Sequence, residues 1–137
     1  MKVVLDTNVV ISALIVKHSK AFEAYQKIIS HHQVLSSIEV EIELIEKIKE
    51  KKFKKYFATE SIRDELLFSF LSSCTLIQVI HKVELCRDPD DDKFLELALS
   101  GAVDLIISGD SDLTILNPFE GIPIIKPIEF LHRYQNE

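Results

Sequence analysis

Glycine and proline are scarce in this chain, three and four residues of 137, which excludes collagen-like and low-complexity architectures. Cysteine is nearly absent: Cys74 and Cys86 flank a strand-like run and a short loop, and no other cysteine or histidine stands at ligand spacing. That argues against a zinc site and leaves both as small apolar residues of a reducing compartment. The five histidines (His18, His31, His32, His81, His132) form no metal-binding pattern and read as surface or capping residues. No run approaches the roughly 20 apolar residues that span a bilayer. The apolar opening "MKVVLDTNVVISALIV" is interrupted by Asp6 and Asn8 and lacks a small-residue cleavage site, so it is not read as a leader. A cytoplasmic protein with no membrane partner is expected. Positive charge is also short: the net charge is −6 and the pI about 5.4, against broad electrostatic binding to nucleic acid. An enzyme acting on nucleic acid is not excluded, because bound cations reverse the charge of an acidic cleft.

What is present is a 47% hydrophobic, 28% charged chain, long enough for one ordinary core, and residues 1–137 are expected to form a single domain. "KVVL" reads as a central parallel strand ending at Asp6, followed by helices near Asn8–Val16 and Lys20–His31. "QVLSS" is a second strand, and Ser37 is placed to cap a helix running from Ile38 to Lys49. A basic run, "KIKEKKFKK", precedes a helix over Thr59–Ser72, and "TLIQVI", Thr75–Ile80, is the third strand. "RDPDDD" turns the chain into the helix "KFLELALSGA"; "DLIIS" and "IPIIKP" hold strands four and five, and Pro127 opens the last helix. The alternation predicts an α/β protein of three layers, α/β/α, around a central parallel sheet of about five strands.

The acids fall at the ends of these strands. In open parallel sheets ligands gather beyond the carboxyl ends of the strands. Asp6 closes strand one, Asp110 and Asp112 follow strand four, and Asp92 opens the helix leading into strand four. Each acid alone has a structural account: Asp90 to Asp92 complement a helix N-terminus, and Asp110 serves as an N-cap. Together they are harder to explain. Four carboxylates about 5 Å apart repel by about 3 kcal/mol per pair at an effective dielectric near 20. Six pairs give about 20 kcal/mol, more than the whole stability of a typical domain. Cations between them relieve this, and all-oxygen ligands suit Mg2+ or Mn2+.

Through three stretches, "VVLDTNVVISAL", "ELIEKIKEKKF" and "DPDDDKFLELALSGAVDLIISGDSDL", the chain resembles the PIN-domain family over nearly its whole length. "VVLDTNVVISAL" is similar to the family opening, in which a strand delivers an Asp followed by Thr and Asn. "ELIEKIKEKKF" is similar to the helix that supplies a Glu before a basic stretch, and "DPDDDKFLELALSGAVDLIISGDSDL" to the region of the third and fourth acids. The resemblance implies a PIN-like fold and a metal-dependent endoribonuclease of the toxin–antitoxin type. Such an enzyme cleaves single-stranded RNA with a metal-activated water, leaving a 5′-phosphate and a 3′-hydroxyl. It implies Mg2+ or Mn2+ as cofactor, an RNA substrate, an antitoxin protein as partner and a homo-oligomer, a dimer. Carried over by position, the catalytic metal ligands are Asp6, Glu43, Asp92 and Asp110, with Asp112 as a fifth. Thr7, Asn8 and Ser108 stand behind them to orient carboxylates or water.

Two positions stay open. Helical periodicity places Glu41, not Glu43, nearer the apolar face of Ile38, Ile45 and Ile48; the family's interval to Phe53 selects Glu43. Asp91 and Asp92 both face inward relative to Leu95 and Ala98, and the spacing to Asp110 selects Asp92. Lys51, Lys52, Lys54 and Lys55 are candidate RNA contacts, set against a plain reading as a solvated helix end. Two rival functions remain: a receiver-like signalling module, disfavoured because strand one offers only Asp6 where an acidic pair is needed, and a non-catalytic PIN-like binding module, disfavoured by the full set of acids.

Overall fold

A computed structural model describes residues 1–136. Its strands are β1 (Lys2–Leu5), β2 (Gln33–Ser36), β3 (Thr75–Leu76), β4 (Leu105–Ile107) and β5 (Ile124–Ile125). The helices are α1 (Thr7–Ile15), α2 (Lys20–His31), α3 (Ile38–Ile48), α4 (Glu60–Ser73), α5 (Asp92–Ser100), α6 (Ser111–Thr114) and α7 (Pro127–Arg133). Two 3-10 turns, Lys51–Tyr56 and Pro89–Asp91, precede α4 and α5. All strand pairs are parallel, in the order β3-β2-β1-β4-β5. The α/β/α architecture with five parallel strands is the one the sequence pattern implies.

Alternate strand residues feed two cores, because successive side chains leave a strand on opposite faces. Val3, Leu5, Val34, Leu105, Ile107 and Ile125 pack beneath α1, α2, α3, α4 and α7. Val4, Leu35, Ile106 and Ile124 pack against α5 and Leu113 of α6. Each fully buried Leu or Ile contributes about 1.5–3 kcal/mol, so both faces are committed and the register is fixed. Helix starts follow local chemistry. Ser19, Ser37 and Thr59 accept from the amides of Phe22, Val40 and Ile62 at 3.0–3.2 Å, and Pro127 opens α7.

The third strand is shorter than expected, Thr75–Leu76 rather than Thr75–Ile80. Its neighbour β2 ends at Ser36, and Ser37 turns the chain into α3, so only the Ile77 amide finds one more carbonyl, that of Ser36, at 2.9 Å. Beyond it the backbone lies along α5 and uses side chains as its ladder. Ser100 Oγ accepts from the Ile80 and His81 amides at 3.0 and 3.2 Å, and Glu96 from the Val83 amide at 3.0 Å. Asp92 accepts from the Leu85 and Cys86 amides at 3.1 and 2.8 Å. Asp92, Glu96 and Ser100 recur every four residues, one face of a helix. Where strand pairing ends, α5 takes over.

Candidate metal centre

The winding of the sheet reverses between β1 and β4, the switch point at which open α/β sheets form a crevice. Leu5 pairs with Ile107, so the next residues, Asp6 and Ser108, leave the sheet side by side. Asp6 is buried; its Oδ2 accepts from Ser108 Oγ at 2.6 Å and its Oδ1 from the Asn8 amide at 3.1 Å, capping α1. Burial raises the Asp6 pKa above the usual carboxylate value; the Ser108 hydroxyl and Asn8 amide partly offset this, while Asp110 and Glu43 add to it. Ser108 Oγ also accepts from the Asp110 amide at 3.0 Å. One buried hydroxyl thus ties the first acid to the fourth.

Asp110 caps α6 by accepting from the Asp112 amide at 2.9 Å. Asp110, Asp112 and Asp91 each present a carboxylate oxygen, and these three oxygens lie within 4.8 Å of one another. The Asp91 carboxyl is pushed up to about 7, by burial first, then by the charges of Asp110, Asp6 and Asp88, and by a hydrogen bond with Asp110 that needs the proton. Neighbouring like charges thus add to the effect of burial. An all-oxygen donor set with that crowding fits a hard divalent cation such as Mg2+ or Mn2+.

The other acids are already engaged by the protein. Glu43 receives the Thr7 hydroxyl on Oε2 and the Lys93 ammonium on Oε1, the latter at 3.0 Å with both side chains mostly buried. Asp92 is buried with its two amide partners. Burial pushes its pKa up, but the Cys86 and Leu85 amides and the Cys86 thiol outweigh that and hold it below the usual value. At the rim, Arg87, 86% exposed, pairs with Asp112 at 3.3 Å. Asn8 and Asp110 border a shallow cavity of 320 Å³ between α1 and the start of α7.

The family profile of the PIN domain matches residues 2–112. This chain belongs to the PIN-domain family. An uncharacterized protein of Methanocaldococcus jannaschii is 34% identical over 117 residues, 85% of this chain and 75% of that protein. Two solved structures share the fold at 15% identity. One is PAE2754 from Pyrobaculum aerophilum (TM-score 0.70, all of this chain and 91% of that one). The other is VapBC2 from Rickettsia felis, bound to a DNA fragment from its promoter (TM-score 0.63, 92% and 98%). Membership in the PIN family sets the receiver-like reading aside.

Within this PIN fold the sequence-selected residues part company. Asp6, Asp110 and Asp112 converge on the crevice, with Thr7 and Ser108 bonded to carboxylates and Asn8 at the border. Glu43 stands close enough to Asp6 to raise its pKa, whereas Glu41 sits toward Cys74 and is raised by its own burial. Asp92 Oδ1 accepts from the Leu85 and Cys86 amides, while Asp91, the other residue the sequence left open, presents an oxygen beside Asp110 and Asp112. The two residues stand on either side of an element boundary: Asp91 ends the 3-10 turn Pro89–Asp91 and Asp92 opens α5. Lys51, Lys52, Lys54 and Lys55 lie past the end of α3, outside the carboxylate group. Cys74 and Cys86 are free and half-buried. The sequence reading missed Lys93 and Arg87. For Lys93 a signal existed, since a lysine in the first turn of a helix opposes the helix dipole and needs a local partner.

Proposed function

We propose that this PIN domain is a divalent-metal-dependent endoribonuclease that cleaves single-stranded RNA, the toxin half of a toxin–antitoxin pair. The observation that carries the reading is the convergence of Asp91, Asp110 and Asp112 at the switch point of the sheet, with the Asp91 carboxyl forced up to about 7. Those three residues hold the cation, backed by Asp6. When bound, a divalent cation there supplies Lewis acidity toward a phosphodiester and acidifies an attacking water. The remaining roles belong to the chain. Ser108 fixes the orientation of Asp6 and, through the Asp110 amide, the loop that delivers Asp110. Thr7 and Lys93 orient Glu43 on the opposite wall, next to Asp6, where its carboxylate is placed to accept a proton from water. Asp92 anchors the Leu85–Cys86 backbone, and with it the wall from which Arg87 projects.

The Rickettsia felis neighbour, a VapBC2 assembly, supports an antitoxin as partner, and a homodimer in the cytoplasm is the proposed assembly and setting. Among the described residues no helix is long and apolar enough to cross a membrane. The test is cleavage of end-labelled single-stranded RNA in Mn2+ and in chelator. Metal-dependent products bearing 5′-phosphates, absent with Asp110→Asn, are expected; equal cleavage by that variant, or cleavage in chelator, would overturn the reading.

A further inference from the structure

Six of the sixteen lysines and arginines in this acidic chain fall within the nine residues Lys47–Lys55. The run "KKFKKY" is itself a three-residue repeat, and it folds as the 3-10 turn Lys51–Tyr56. At three residues per turn, side chains three apart share a face. The repeat therefore sorts its residues into three stripes. Phe53 and Tyr56 form the aromatic stripe. Lys52 and Lys55 lie over the rings that follow them, 5.1 and 5.3 Å from the centroids of Phe53 and Tyr56, and Lys52 also pairs with Glu50 at 3.4 Å. Lys51 and Lys54, with Phe57 continuing the stripe, face a cavity of 380 Å³.

That cavity is bounded by the end of α3, the 3-10 turn and the first residues of α4. Lys49, Lys51, Lys54 and Arg63 line it against two acids, Glu50 and Glu60, with Ile48 and Phe57 supplying apolar surface. Among the described residues, Lys49, Lys51 and Lys54 have no carboxylate at ion-pair distance, whereas Lys52 does. Lys49 is six residues beyond Glu43, so the cavity begins about 9 Å along α3 from the carboxylate crevice at 1.5 Å per residue. A concave site with unpaired cations on its wall and apolar surface within it suits a strand carrying phosphates on one side and flat bases on the other.

We propose that this cavity is a subsite for the single-stranded RNA backbone adjoining the cleavage centre, with Lys49, Lys51 and Lys54 on phosphates and the Phe57 side of the cavity receiving a base. The inference rests on reading the crevice as an RNA-cleaving centre. It divides the basic run: Lys51 and Lys54 bind substrate, Lys52 and Lys55 do not.

The experiment compares two double variants of equal charge, Lys51→Gln/Lys54→Gln and Lys52→Gln/Lys55→Gln, with wild type. Binding of a fluorescein-labelled single-stranded RNA 12-mer (about this length to span crevice and cavity) is followed by anisotropy in chelator at several salt concentrations. The first variant should bind at least tenfold more weakly and lose about 1.4 from the salt slope, about 0.7 per phosphate contact; the second should change less than twofold. In Mn2+, the first should raise KM on the 12-mer and leave cleavage of a dinucleotide, too short to reach the cavity, as in wild type. Equal losses in both variants, no loss in either, or a wild type that does not bind the 12-mer would overturn the subsite. Binding with the expected asymmetry but no cleavage by wild type would retain the subsite and defeat the nuclease reading instead.

Discussion

Two groups of carboxylates lie at the same edge of the sheet, and they are treated in opposite ways. Asp6, Glu43 and Asp92 each hold protein donors: a hydroxyl and an amide, a hydroxyl and an ammonium, and two amides. Asp91, Asp110 and Asp112 bring carboxylate oxygens within 4.8 Å of one another; Asp110 also accepts from the Asp112 amide, and exposed Arg87 pairs with Asp112 at the rim. We propose that this first group mainly supports the wall of the site, with Asp6 backing the cation and Glu43 facing the water, and gains less from a cation than the second. The crowded acids repel by about 3 kcal/mol per ionised pair at an effective dielectric near 20, and they gain most from one. Sequence spacing does not separate these groups, which include adjacent residues such as Asp91 and Asp92; their hydrogen-bond partners distinguish those two.

The largest test of that contrast is Asp110→Asn. It should lower cleavage by about a thousandfold or more, the loss expected when one ligand of a catalytic cation is neutralised. It should also abolish the rise in melting temperature that Mn2+ gives wild type by selective binding to the folded state. In chelator the variant should be as stable as wild type or more so, because a repelling charge is gone. A large loss of stability in chelator would place Asp110 among the structural supports.

Asp91 and Asp92 put the contrast on adjacent residues. Asp92→Ala should destabilise the protein by about 1–2 kcal/mol with or without metal, since two part-buried amides lose a charged acceptor. Asp91→Asn should leave urea stability in chelator unchanged or higher while cutting Mn2+ affinity at least tenfold. Calorimetric titration with Mn2+ beside urea unfolding reads both, and exchanged phenotypes would restore Asp92 as the ligand.

A pH titration of metal-free protein reads the combined burial and crowding of Asp91. Asp91 keeps its proton in the folded state up to about 7 and loses it near 3.8 when unfolded. Between those values the folded state binds more protons than the unfolded state, so stability falls as pH rises from about 4 to 7 and levels off above. Discounted for solvent screening, this amounts to about 1–2 kcal/mol. The slope should be missing from Asp91→Asn and suppressed by saturating Mn2+ in wild type. A wild-type slope unchanged in Asp91→Asn would mean that another group carries it.

The sequence is legible where chemistry is local. Asp6, Ser37 and Pro127 sit at element boundaries that their own side chains or rings dictate, and the parallel sheet follows from β-branched runs separated by helical periods. It is not legible where a side chain answers a distant backbone. Asp92 is recruited by amides in an extended segment that loses strand pairing after Ile77, and nothing within a few residues of Asp92 encodes that loss. The four-residue spacing of Asp92, Glu96 and Ser100, three acceptors on one face of a helix that is otherwise apolar except for Lys93, is the trace it leaves. Glu43 is a milder case: periodicity ranks Glu41 ahead of it, because the apolar face of α3 does not record that Thr7 and Lys93 converge on its other edge.

The smallest expected effect concerns the one cation already touching the crowded group. Arg87 is 86% exposed and its pair with Asp112 is a surface ion pair, so Arg87→Ala should change stability by no more than about 0.5 kcal/mol. Its effect on the metal should have the opposite sign from that of the carboxylate variants. The guanidinium occupies Asp112 in the absence of metal, and a divalent cation must displace it or share the carboxylate with it. Removing Arg87 should therefore tighten Mn2+ binding by about two- to fivefold, the equivalent of about 0.5–1 kcal/mol, and the gain should shrink as ionic strength rises. Titrations at low and high salt measure this directly. Weaker Mn2+ binding in Arg87→Ala would show that the arginine holds Asp112 in place for the cation, and would move it from the crowded group's competitor to its support.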